Sequence, residues 1–100
     1  MVLVTTVCAT IRLYAGVGHR QAPFTGGYGP VFDFGPDMQT SGAITLLDRP
    51  AFYPGQEGSG EVAFLNQAYL RHLDVGASFT FGEGRASLGE GVITEILLPA

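Results

Sequence analysis

Lysine and tryptophan are both missing from this chain, and cysteine occurs once, at position 8. Without lysine there can be no Gly-x-x-x-x-Gly-Lys-[Ser/Thr] loop, because that loop needs an ammonium to reach the β- and γ-phosphates; GTP binding and GTPase activity are therefore not expected. A single cysteine cannot form a disulfide within the chain. Cys8 also lacks a neighbouring Cys or His from which a metal site could start, so it reads as a small core or strand residue. Charge is scarce as well: 14% of residues are charged, five arginines stand against nine acidic residues, and the net charge is −4. Such a balance disfavours a phosphate backbone as the main partner, since affinity for nucleic acid comes largely from neutralising phosphates. No apolar run is long enough for a membrane span. The apolar N-terminal stretch has no basic segment before it and is interrupted by Arg12, so neither a membrane partner nor a secretory leader is expected, and the expected location is cytoplasmic. Helical periodicity is absent too, except that Val62 to Leu73 lacks Gly and Pro; at most a helical turn near Asn66 to Asp74 is expected.

What is present points to β-structure. Forty-six per cent of the residues are apolar, with seven Phe and four Tyr, enough for one hydrophobic core in a single domain spanning residues 1–100. From Leu3 to Leu13 two alternating sets of residues describe one long half-buried strand. Val31 to Phe34 is a short strand with both Phe on one face, Ser41 to Leu47 a third and Ser59 to Leu65 a fourth. The closing hairpin begins at Ser78: Phe79 and Phe81 share one face, Gly82-Glu83-Gly84 supplies the reversal, and the chain returns through Gly89-Glu90-Gly91 to Leu97. The last two glycines predict a bulge or a close backbone approach. Between Tyr14 and Pro30 five glycines and two prolines predict a long loop, of a length that is more often functional than not. Short strands separated by Gly/Pro turns predict an all-β fold, a closed antiparallel six-stranded β-barrel, because closure removes exposed edges.

Gly82-x-Gly84 is not a dinucleotide loop, since a strand rather than a helix follows it. His19 and His72 could join Asp37 or Asp74 and a serine in a hydrolytic set, but isolated loop histidines are far more often solvated, and neither a catalytic residue nor a cofactor nor a metal is assigned. The candidate partner-binding residues are His19, Arg20 and Tyr28 in the glycine loop, with Arg71, His72 and Arg85. They combine fixed cations, titratable donors and an amphipathic ring. For Tyr28 the alternative is that the ring packs beneath its own loop.

Several segments, in order, resemble the C-terminal β-barrel, domain III, of the elongation factor Tu family. Gly18-His19-Arg20-Gln21-Ala22-Pro23-Phe24 is similar to the family's Gly-Arg-His-Thr-Pro-Phe, and Gly27-Tyr28-Gly29-Pro30-Val31-Phe32-Asp33-Phe34 to its Gly-Tyr-Arg-Pro-Gln-Phe-Tyr-Phe. Ser41-Gly42-Ala43-Ile44 resembles Thr-Gly-Thr-Ile, Pro54-Gly55 the Pro-Gly turn, and Phe79 to Ile93 the family's Arg-Glu-Gly-Gly-Arg-Thr-Val-Gly-Ala-Gly-Val-Val hairpin. The chain departs from the pattern at Gly29 and Gly82, where the family has Arg, and in the reversed order of His19-Arg20.

The resemblance implies a barrel that in the family packs on a second barrel and a GTPase domain and touches the T-stem of aminoacyl-tRNA. For this chain the expected function is a non-catalytic binding module acting through protein contacts with the translation apparatus or a related GTPase. The alternatives are a weak tRNA-binding fragment and, less favoured, a small hydrolase. A surface covered by neighbouring domains in the family should show here as an apolar patch, so a protein partner or a homodimer is expected. tRNA is possible but disfavoured by the acidic charge.

Overall fold

The computed structural model describes residues 5–15, 23–35, 39–64, 74–83 and 86–98. They form eight strands: β1 Thr5–Leu13, β2 Phe24–Thr25, β3 Val31–Asp33, β4 Gln39–Leu46, β5 Ala51–Phe52, β6 Glu57–Phe64, β7 Ser78–Glu83 and β8 Ala86–Leu98. Six of them close into an antiparallel barrel in the order β1-β6-β4-β3-β7-β8, and β2 and β5 make a separate two-stranded sheet. The described residues contain no helix. The six-stranded closure agrees with the sequence reading; the expected helical turn near Asn66 to Asp74 falls, apart from Asp74, outside the described residues.

β1 is the spine. Its odd residues Thr5, Val7, Ala9, Ile11 and Leu13 are buried, and Thr6, Cys8, Thr10 and Arg12 alternate with them on the outer face. The strand pairs with β6 on one side, from Thr5↔Phe64 to Arg12↔Glu57, and with β8 on the other, from Thr6↔Leu98 to Leu13↔Gly89. The β8 side slips twice, between Thr6/Val7 and between Cys8/Ala9, which leaves Leu97 and Thr94 as the extra residues of two bulges. At the second, the Thr94 hydroxyl donates to the Cys8 carbonyl at 3.1 Å. The Thr94 bulge shifts the pleat by one, so that Ile93 opposite Ala9 and Ile96 opposite Val7 both turn toward the core.

Of the two expectations for Gly89 and Gly91, the close backbone approach is present at Gly89, against the Arg12 carbonyl, and the bulge lies elsewhere. The bulge between β7 and β8 lies at Phe81/Gly82, and Gly89 and Gly91 stand directly opposite Phe81 and Phe79. A Cβ at Gly89 would land on the Phe81 ring and one at Gly91 on the Phe79 ring. The Phe81 ring together with the Arg12 carbonyl requires glycine at 89, and the Phe79 ring requires it at 91.

The interior is divided by side-chain type. Toward β1, β6 and β8 it holds Val7, Ile11, Leu13, Val62, Leu88 and Ile93. Toward β3 and β7 it is aromatic: Phe32 meets Phe64 at 5.1 Å and Phe79 at 5.7 Å, edge on, and Phe34 meets Phe64 at 5.4 Å. Edge-to-face contacts set the negative face of one ring against the positive edge of another.

One expectation is corrected. The glycine-rich stretch read as a loop from Tyr14 to Pro30 contains β2, paired Phe24↔Phe52 and Thr25↔Ala51 with β5, and a bridge from Tyr28 to Ile44. Two-residue strands leave no alternation in a sequence, and the partner lies 28 positions away, so nothing local announces them.

Candidate functional site

β2 and β5 lie across one mouth of the barrel, where β1 ends, β7 ends and β8 begins. Their side chains form a column. The Arg49 guanidinium lies 4.8 Å from the Phe52 ring centre, Phe52 stacks on Phe24 at 5.4 Å, and Phe24 stacks on Tyr28 at 4.6 Å. Phe24 also meets Phe81 edge on at 6.4 Å, which joins the column to the aromatic interior. Phe81 in turn lies 6.3 Å from Phe32, so all seven phenylalanines of the chain are connected through ring contacts.

Both ends of the column are tied by carboxylates. At one end Asp48 takes Arg49 in a two-point pair, Nε to Oδ1 at 2.7 Å and Nη2 to Oδ2 at 2.9 Å. Arg49 also reaches the Gln56 side-chain oxygen at 3.3 Å, and that oxygen accepts from the Tyr53 backbone N–H at 3.0 Å. The hydrogen bond to Arg49 holds the Asp48 carboxyl below its ordinary pKa. At the other end the Tyr28 hydroxyl donates to Glu83 Oε1 at 2.7 Å. The backbone is fastened too: Gly27 N–H donates to the Ile44 carbonyl and Ile44 N–H to the Tyr28 carbonyl, both at 2.8 Å. Gly27 has φ +89°, a conformation that glycine enters at little cost and that lets the chain turn from β2 back to β4.

Of the candidate partner-binding residues, only Tyr28 is among those described; His19, Arg20, Arg71, His72 and Arg85 lie outside them. The half-buried Tyr28 has one ring face on Phe24 and its hydroxyl on Glu83, which is the packing alternative. Beside it an open depression of about 290 Å³ is lined by residues 23–28. Sequence reasoning missed Arg49. Its partners Asp48 and Phe52 are near in sequence, but only the fold of the β4–β6 connection brings Gln56 beneath it.

The outer face of β6, β1 and β8 carries a second, smaller depression of about 160 Å³ lined by Thr10, Arg12, Glu57, Glu90 and Val92. Arg12 is 3.8 Å from Glu90 there. Further along the same face Cys8 stands between Glu61 on β6 and Glu95 on β8. Burial first, then the charges of Glu95 and Glu61, push the thiol above its ordinary value, so it stays protonated and weakly nucleophilic.

The described arginines Arg12 and Arg49 are each in an ion pair, with Glu90 and Asp48. Among the described residues the exposed large apolar side chains Val31, Leu47, Tyr53, Val75, Val92 and Leu97 are distributed over β3, β8 and three connections. Among the described residues no group of three His, Cys, Asp or Glu could hold a metal ion. No helix among them is long and apolar enough to cross a membrane. No protein-family model matches this chain.

Proposed function

We propose that this barrel is a non-catalytic binding module of the kind represented by the C-terminal barrel of elongation factor Tu, working through protein contacts with the translation apparatus or a related GTPase. The observation that carries the protein-contact reading is the charge balance of the whole chain, nine carboxylates against five arginines for a net charge of −4, with Arg12 and Arg49 both engaged with acidic side chains. Such a balance repels phosphate and favours a polypeptide that brings its own cations. The kinship part of the reading is supported by the ordered segment resemblance together with the six-stranded antiparallel closure, which is the architecture the resemblance implies.

Two titrations on the full chain separate the readings. One uses a purified translational GTPase, the other purified aminoacyl-tRNA, both near physiological salt. Saturable binding to the GTPase that weakens as salt is added is the expected result, with tRNA binding weak. Tight tRNA binding at that salt, lost when Arg20→Ala and Arg85→Ala are combined, would replace the protein-contact reading with an RNA-binding one. Binding to neither overturns the translation assignment.

A further inference from the structure

We propose that the β2–β5 cap is a strap that opens as a unit from the barrel mouth while the six-stranded barrel beneath it stays closed. This inference stands apart from the translation reading and rests on how the two parts are held. The barrel is complete without the cap, because β2 and β5 belong to no ladder of the closed sheet. Within itself the cap is continuous: the Arg49, Phe52, Phe24 and Tyr28 column runs through both short strands, and the Asp48 and Gln56 contacts lock its arginine end.

The described fastenings between cap and barrel are discrete. One seam is the pair of backbone bonds linking Gly27 and Tyr28 to Ile44. A second joins Gly55 N–H to the Leu13 carbonyl at 2.8 Å and Leu13 N–H to the Gln56 carbonyl at 3.1 Å. The Tyr28–Glu83 hydrogen bond, the Phe24–Phe81 edge contact and the Arg49 Nη2 bond to the Glu57 carbonyl of β6 at 3.3 Å are further described attachments. Releasing these few links uncovers Phe24, Phe52 and Phe81 at the mouth but breaks no pairing between barrel strands. A part with cooperative internal packing, joined to a separately closed body by a few bonds, opens sub-globally at lower free energy than the body unfolds. Because opening exposes fully buried rings, the open form is a minor state.

The test is native-state hydrogen exchange of the full-length chain in increasing, sub-denaturing urea. The amides of Gly27, Ile44 and Gly55 should exchange at least about tenfold faster than the interior β1 and β6 amides, with a smaller urea dependence, as a partial opening requires. Tyr28→Phe removes one fastening and keeps the ring, so it should speed the cap amides further and leave those of Val7 and Val62 unchanged. If cap and barrel amides share one rate and one urea dependence in the unsubstituted chain, the strap does not exist. Equal acceleration of both sets by Tyr28→Phe overturns the proposal as well.

Discussion

The two sides of this barrel are held by different means. On the side formed by β6, β1 and β8, strands of eight, nine and thirteen residues run beside one another in long registers over an interior that is aliphatic except for Phe64 at the end of β6. On the other side β3 has three residues and the cap strands two each, and connected phenylalanine rings fill the space behind them. Where backbone pairing is extensive, small branched side chains suffice. Where it is brief, each ring brings roughly 150–250 Å² of burial and a preferred angle to its neighbours, and orientation is set by side chains. Position along a ladder is fixed by the pleat, whereas position in the ring network is fixed by shape.

The contrast is tested most severely at Phe32, which is fully buried and touches Phe64, Phe79 and Phe81. Phe32→Ala should lower the stability by about 3–5 kcal/mol, read as a shift of the urea midpoint, because the three-residue β3 has little else to hold it. A loss below about 1 kcal/mol would mean that the ladders alone position this wall. The second test lies where the two regimes meet. Gly89→Ala puts a methyl group against the Phe81 ring and the Arg12 carbonyl. Overpacking of this kind costs about 1–3 kcal/mol, and the variant should unfold at correspondingly lower urea. The double variant Gly89→Ala with Phe81→Leu should recover part of that loss if the ring is what excludes the side chain.

The same contrast explains what could be read beforehand. The ladders were legible, since β1, β4, β6, β7 and β8 each carry enough alternating residues to display a period of two, and closure followed from the need to leave no exposed edges. β3 was legible through the spacing of Phe32 and Phe34. The bulges at Thr94 and Leu97 were not, because an inserted residue changes only the register against a distant strand. Nor was the cap: stacking of Phe24 on Phe52 depends on residues brought together by the rest of the fold. Tyr28 shows the limit most clearly. An aromatic hydroxyl in a glycine-rich segment has the right chemistry for a contact surface, and the same chemistry lets it stack on Phe24 and reach Glu83. Arg49 gives no sign of its place in the sequence, because its stacking on Phe52 and its reach to Gln56 depend on how the connection between β4 and β6 folds.

The smallest expected effect is on the long-ladder side, at Cys8, and concerns reactivity rather than stability. The register sets Cys8 opposite Glu61 on β6 and Glu95 on β8, on the outer face of β1. Burial, Glu95 and Glu61, in that order of weight, raise the thiol above its ordinary value of 9.0. The folded chain therefore keeps its proton to higher pH than the unfolded chain. This contribution to stability is fully present below the unfolded pKa and is lost as pH rises through the folded one. At any pH below both values the thiolate fraction of folded Cys8 is smaller, so iodoacetamide should alkylate the native protein more slowly than the urea-unfolded chain, with a pH profile displaced to the alkaline side. Removing the charges while keeping the shape isolates their share: Glu95→Gln should move the profile back toward neutral pH, Glu61→Gln by less, and both together by the most. A native profile that coincides with the unfolded one, or one unmoved by Glu95→Gln, would show that β6, β1 and β8 do not hold these three side chains in the register described.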